Sequence, residues 1–153
     1  MQQKHTNAPT KELLAEVHRN LVMGSESLVD VLPKVQDKFL RREITYELEE
    51  YAAHTQRTVA LMARYGISPQ KPGTVKTLLT KGGIALNTLL DSSDEHIAEM
   101  IRRGTDVGVT QLSSTIDRLT HRGCAEPVLQ LARDVVALER TTVARVGDHC
   151  QPT

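Results

Sequence analysis

The sequence predicts an all-α protein, an antiparallel bundle of four helices. Apolar residues recur at intervals of three and four over long stretches, which is the period of an amphipathic helix. No stretch alternates for long between apolar and polar residues, as a half-buried strand would. Proline and glycine cluster at residues 66–73 and 123–127, and a polar break lies at 91–93. These boundaries leave helices of roughly 22–30 residues, about 33–45 Å long, and similar lengths favour side-by-side packing.

The first two helices have clear start and stop signals. The first is predicted from Thr10 to about Leu32, where Pro33 lacks the N–H that would continue it. The second follows Asp37, a residue type that caps helices, and stops at Gly66, which suits the left-handed position after a helix. The predicted inward stripes are Leu14, Val17, Leu21, Gly24, Leu28 and Val31, then Leu40, Ile44, Leu48, Tyr51, Thr55, Val59 and Met62.

The second half of the chain predicts a short helix followed by two long ones. Residues 74–90 form a weaker helical stretch, interrupted by a pair of glycines. Ser92 would cap the third helix, with Glu95 at the capping-box position. The fourth helix follows Gly123 and has Pro127 in its first turn, where proline is tolerated. The inward stripes are Ile97, Ile101, Gly104, Gly108, Leu112, Thr115 and Leu119, then Val128, Ala132, Val135, Glu139, Thr142, Val143 and Val146.

Residues 10–149 are expected to form a single domain, with residues 1–9 as a flexible polar lead-in and 150–153 as a tail. The lead-in lacks the apolar segment of a signal peptide, and no apolar run approaches the roughly 18–20 residues of a membrane span. The two cysteines lack the spacing of a zinc site. Two distant cysteines in a chain of this kind are expected to be reduced thiols, as in a reducing compartment. We therefore expect a cytoplasmic protein that does not associate with membranes.

Composition and motifs exclude several function classes. The 19 basic and 19 acidic residues give a formal net charge of zero, and aromatic residues make up 3% of the chain. Nucleic-acid binding needs a basic surplus or stacking aromatics, so we expect no nucleic-acid partner. The sequence contains no phosphate-binding loop and no recognisable nucleophile motif. These absences favour a protein that is not an enzyme.

Four residues are candidate metal ligands. Glu139 falls near the centre of the apolar stripe of the fourth helix, where an apolar residue is expected. Glu47 and His54 lie on or beside the stripe of the second helix, and His96 lies on a flank of the third. A buried carboxylate needs a metal or another partner to offset its desolvation. A site built from these residues would hold Fe, Mn or Zn, although no cofactor is the simpler expectation.

Non-metal interpretations of the same residues remain open. Di-metal bundles take a Glu from each of two helices and Glu-x-x-His from the other two, and this chain contains no Glu-x-x-His. Glu139 would otherwise form a buried salt bridge or hydrogen bond to another helix, for example to Tyr51. His54 and His96 would otherwise be boundary histidines, each bonded to a neighbouring group.

Gly104 and Gly108 lie on the apolar stripe of the third helix. Each costs about 1 kcal/mol relative to alanine inside a helix. We expect them to permit close approach of a neighbouring helix. The alternative is a cavity or a ligand beside the flat glycine surface.

Three stretches, 21–34, 49–66 and 84–106, resemble a bacterial ferritin-like four-helix-bundle family of small proteins with no assigned activity. The strongest part is the break at 91–93, followed by the run His96-Ile97-Ala98-Glu99-Met100 and by Gly104. The resemblance implies a ferritin-like bundle with a short extra helix before helix 3, often self-associating. Metal-binding relatives would carry inward Glu and Glu-x-x-His ligands, whereas Thr142 stands where a histidine would follow Glu139.

We therefore expect a helical bundle that is not an enzyme and acts through self-association, as a homo-oligomer, or through a protein partner. The alternative is a ferritin-like metal-binding protein with a reduced carboxylate and histidine ligand set. A third hypothesis places a small-molecule pocket beside Gly104 and Gly108, because an apolar cavity with few polar groups is typical of ligand sites.

Overall fold

The computed structural model describes residues 6–69 and 93–149, and every regular element within these ranges is helical. The long helices are α1 (Ala8–Val31), α2 (Lys38–Arg64), α3 (Asp94–Leu119) and α4 (Glu126–Gly147), with a 3₁₀ turn over Leu32–Lys34. The prediction of an all-α fold with four long helices is confirmed. The third long helix is capped by Ser93, one residue after the predicted Ser92. The predicted short helix over 74–90 and the tail at 150–153 lie outside the described residues.

Polar side chains fix the start of three helices. Asn7, Asp37 and Ser93 each accept a hydrogen bond from the backbone N–H three residues later, which satisfies one of the free donors of a first turn. The cap predicted at Asp37 is confirmed. The first helix begins at Ala8 rather than Thr10 because Asn7 caps it.

Glycines end two of the helical segments. Gly66 follows α2 with φ of 70°, and Gly123 follows α3 with φ of 77°. Side chains other than glycine rarely adopt this left-handed conformation. The predicted end of the second helix at Gly66 is therefore confirmed.

The four helices enclose one aliphatic core. Helix α1 packs against α2 and α3, α4 packs against α3 and α2, and α1 also touches α4 across the centre. The most deeply buried side chains include Leu13, Leu14 and Leu21 of α1, Leu40, Ile44 and Met62 of α2, Ile97, Leu112 and Leu119 of α3, and Leu131 of α4. None of the helices within 6–69 and 93–149 is long and apolar enough to cross a membrane.

The inward face of α2 differs from the predicted stripe. Val59 was expected to face inward but is 39% exposed, and the buried positions include Glu47 and Thr58 instead. The spacing from Ile44 through Glu47 to Tyr51 is three and four residues, so these side chains share one face. Because positions 47 and 58 are polar, the apolar pattern of the sequence does not identify this face as the inward one. Tyr51, on the same face, contributes to the cavity between the helices.

Candidate functional site

A cavity of about 550 Å³ lies between α1 and α3. Its walls are formed by residues 16–31 of α1 and 100–111 of α3. Its floor is formed by Tyr51 of α2 and by Glu139 and Thr142 of α4. All four helices therefore contribute to one concave site.

The glycines of α3 keep the centre of this cavity open. A Cβ atom built on Gly104 would have nothing within 4 Å, apart from its own chain neighbours and helix backbone. The predicted close helix approach is thus wrong at Gly104, and the cavity alternative is confirmed there. At Gly108 a Cβ would lie 3.0 Å from Asn20 Nδ2 and 3.6 Å from Glu139 Oε2. Gly108 therefore makes room for two polar side chains rather than for a helix.

A third glycine, Gly24 of α1, makes room for the ring of Tyr51. A Cβ at this position would lie 2.9 Å from Tyr51 Cε2, too close for an unshifted ring. Tyr51 is 2% exposed, and its hydroxyl donates to Glu139 Oε1 over 3.4 Å. The ring thus reaches across the bundle from α2 to the acidic residue of α4.

Glu139 is the chemical centre of the floor. Its side chain is buried, and its Oε2 has no hydrogen-bond partner among the described residues. The nearby Asn20 amide instead donates to the Gly108 carbonyl oxygen over 3.4 Å. Burial raises the pKa of Glu139 to about 8, the nearby Asn20 amide and the Tyr51 hydroxyl oppose this shift, and the charge of Glu47 adds to it. At neutral pH the carboxyl is therefore mostly protonated.

Glu47 is a second buried carboxyl group, one turn before Tyr51 on α2. Neither of its oxygens has a hydrogen-bond partner within the described ranges. Burial raises the pKa of Glu47, while the Thr142 hydroxyl and the charge of Arg145 oppose the shift. The structure thus places two of the four predicted ligands, Glu47 and Glu139, close enough for the charge of Glu47 to raise the pKa of Glu139.

The two predicted histidines lie elsewhere. His54 Nδ1 lies 2.8 Å from the carbonyl oxygen of Glu50 on its own helix. The nearby Asp134 has its pKa lowered mainly by its hydrogen bond with Arg57, and His54 adds only slightly to this. The interpretation of His54 as a boundary histidine bonded to a neighbour is confirmed. His96 is exposed in the first turn of α3. It precedes Gly108 by twelve residues, about 18 Å along the helix.

The residues described here contain no group of three or more His, Cys, Asp or Glu side chains placed to hold a metal ion. Glu47 and Glu139 supply two carboxylates, and neither histidine lines the cavity. Metal binding by the predicted set of four residues stays a prediction.

The cavity is polar at one end and apolar at the other. Asn20 donates to Gly108, so the first part of α1 lies level with the later part of α3. The polar end is lined by Glu16, Arg19, Asn20 and Gln111, and the apolar end by Leu28, Val31, Met100 and Ile101. The Arg19 and Glu16 side chains form an ion pair of 3.0 Å with each other. The site is thus amphipathic along its length.

Sequence reasoning missed the contribution of α1 to this site. Asn20 was not among the candidates, because it stands beside the apolar stripe rather than on it. The sequence feature that could have revealed it is Gly24, which stands on the apolar stripe of α1. A glycine at an inward position indicates that a bulky group from another helix occupies the space.

A scan against models of protein families and a search of curated proteins both found no match to this chain. Membership of the ferritin-like family therefore stays a prediction. The functional interpretation depends on the geometry of the cavity and its acidic floor.

Proposed function

We propose that this protein is a binding protein, not an enzyme, and that it holds a small molecule in the cavity between α1 and α3. The observation that carries the proposal is the cavity itself. Its volume of about 550 Å³ falls within the roughly 300–1,000 Å³ of small-molecule sites, which combine apolar walls with a few convergent polar groups. Tyr51, Asn20 and Glu139 are those polar groups.

Two of the hydroxyl groups that line the cavity, on Ser27 and Thr142, support binding rather than catalysis. Ser27 Oγ donates to the Met23 carbonyl oxygen over 2.9 Å, and Thr142 Oγ1 donates to the Leu138 carbonyl oxygen over 3.1 Å. Each hydroxyl is thus engaged by its own helix. No histidine lines the described cavity to activate either one.

A leucine at Gly104 is expected to weaken ligand binding about tenfold, or by about 1.4 kcal/mol, because its side chain would occupy the open centre. The probe is N-phenyl-1-naphthylamine, whose fluorescence rises in an apolar site. Ser114→Leu, which adds the same side chain at an exposed position of α3, is the matched control and should bind like wild type. Absence of saturable binding to wild type, or equal binding by the Gly104→Leu variant, would contradict the proposal.

A second candidate function is metal binding by a reduced ligand set. The observation that favours it is the pair of buried carboxyl groups, Glu47 and Glu139, with three oxygens that lack partners among the described residues. A divalent cation would neutralise both carboxylates and offset their desolvation. Glu139 would be the anchor, since it faces the cavity.

Elemental analysis of protein purified without chelator, and again after incubation with Fe²⁺, Mn²⁺ or Zn²⁺, tests this second function. One or two equivalents per chain are expected, and Glu139→Ala should remove the metal. The same variant should raise the melting temperature of the metal-free protein, because it removes a buried carboxyl group. Glu49→Ala, an exposed change on α2, should alter neither property. A wild-type protein that retains no metal after loading excludes this function.

We propose that the bundle is antiparallel with ferritin-like connectivity. Contacts between α2 and α4 run in opposite order along the two helices, from Arg57 with Asp134 to Tyr51 with Glu139. Asp94, at the start of α3, accepts hydrogen bonds from backbone N–H groups just before α2. Helices α2 and α3 therefore start at the same end, which supports a single long crossover, the ferritin-like arrangement.

Self-association is the further part of the proposal. Apolar side chains with exposed surface on α2 include Phe39, which is 68% exposed, and Tyr46, seven residues later on the same face. An exposed apolar surface favours a contact with a second copy or another protein. The native mass, measured on the sample used for elemental analysis, is expected to be a multiple of the chain mass of 17.0 kDa. A native mass of one chain would contradict self-association.

A further inference from the structure

The strongest chemical feature of the cavity is the carboxyl oxygen Oε2 of Glu139, which lacks a hydrogen-bond partner among the described residues. The residue is 2% exposed, and no described group forms a hydrogen bond with Oε2. The Asn20 amide is near enough to lower the pKa of the carboxyl but donates to Gly108. Glu139 Oε2 lies near Gly108, on the cavity side of the floor, while Oε1 accepts from Tyr51. A buried acceptor without a partner carries a free-energy cost that a bound hydrogen-bond donor would remove.

The charges around Glu139 leave the floor acidic. From α1, Glu16 and Arg19 line the polar end but pair with each other. From α2, Tyr51 lines the site, while Glu47 lies outside the lining and acts on Glu139 through its charge. Helix α3 contributes only uncharged residues to the described lining. From α4, the Arg145 guanidinium lies 4.0 Å from Glu43, outside the cavity. The described residues therefore supply no cation to Glu139, and a cationic ligand would fit.

The apolar end of the cavity determines the shape and polarity of the part of the ligand that lies away from Glu139. Leu28 and Val31 of α1 and Ile101 of α3 lie beyond the glycines, away from the polar end. From position 20 to position 31, α1 rises about 16 Å. A ligand that extends from Glu139 toward this end would be elongated and apolar.

We propose that the cavity takes an amphiphilic amine, with its ammonium group at Glu139 and its apolar body along α1 and α3. This inference rests on the proposed binding function. The ammonium would donate to Glu139 Oε2 after a shift of the Asn20 amide, which lies against Gly108 beside this oxygen. A fatty acid fits less well, because its carboxylate would meet the buried Glu139 carboxyl group. A metal ion would leave the apolar end without a role.

The test compares three probes of equal chain length, decylamine, decanol and decanoate, as competitors for bound N-phenyl-1-naphthylamine. At pH 8.5 decylamine is expected to bind at least tenfold more tightly than the other two. Glu139→Gln should abolish this preference, so that decylamine and decanol compete equally for the dye that the variant binds. Glu49→Gln, the same change at an exposed position of α2, should preserve it. Circular dichroism of each variant confirms that the helices are intact.

The pH dependence supplies a second readout. Glu139 keeps its proton below a pKa of about 8, so ammonium binding must release that proton. Decylamine affinity should rise with pH from 6 to 8, approaching about tenfold per unit, and then level off. The profile of Glu139→Gln should be flat over this range.

The outcomes separate the two proposals. Equal displacement by all three probes, or tighter binding of decanoate, overturns the amine assignment and leaves the binding function standing. Failure of wild type to bind the dye or any probe overturns both.

Discussion

Replacing Glu139 by glutamine is expected to make the protein more stable than wild type above pH 8 and to change its stability little below pH 5. The folded protein holds the pKa of Glu139 at about 8, against an ordinary value of 4.5. Between these values the folded state binds a proton that the unfolded state has released. The contribution of this carboxyl to stability is therefore fully present below pH 4.5 and is lost as the pH rises through 8.

The expected magnitude is large for one residue. Each unit of pKa difference corresponds to about 1.4 kcal/mol, so the complete effect across this window would be at most about 5 kcal/mol. Glutamine has nearly the size of the protonated acid and likewise offers a carbonyl acceptor and a donor, but it cannot ionise. The variant should therefore lack the loss of stability that wild type shows between pH 5 and pH 9.

Urea unfolding of both proteins from pH 5 to pH 9.5 measures this effect. The difference between the two free energies isolates Glu139, because groups such as His18, whose pKa is lowered by burial, are common to both. Glu49→Gln, at an exposed position, should follow the wild-type curve. Parallel curves for wild type and Glu139→Gln would show that Glu139 is ionised in the folded protein throughout this range and would contradict the prediction.

The sequence predicts the helices well because their signals are local. Asp37 caps the helix that it precedes, and Gly66 follows its end, since each depends on the backbone of its own segment. Glu139 was also identified from its own helix, because it interrupts an otherwise apolar stripe. Such features need no information about other helices.

The cavity could not be predicted with the same success, because it depends on contacts between helices. Gly104 and Gly108 look equivalent in the sequence, but only Gly108 is faced by Asn20 and Glu139. Glu47 was placed on or beside the stripe, yet it is as buried as Tyr51. Which face of α2 turns inward is decided by packing against α1 and α4, not by the apolar residues of α2 alone.

Replacing Glu47 by leucine is expected to raise the free energy of unfolding by about 1–3 kcal/mol at pH 7, since each unsatisfied buried polar group costs about that much. Both oxygens of Glu47 lack partners among the described residues, and burial raises the pKa of the group. Leucine has a similar size and needs no hydrogen bond. Glu49→Leu, on the exposed side of the same turn, should change stability by no more than about 0.5 kcal/mol.

Urea unfolding of these variants and of the double variant Glu47→Leu/Glu139→Gln shows whether the two acids act as one unit. Removing the charge of Glu47 should lower the pKa of Glu139, because that charge helps to raise it. The two changes are therefore expected to be non-additive at pH 9. Loss of stability in Glu47→Leu would instead indicate a structural partner for this carboxyl. A gain in stability in Glu47→Leu would show that burying Glu47 destabilises the fold. If the same variant also binds decylamine more weakly, Glu47 contributes to the binding of the ammonium group at the expense of stability.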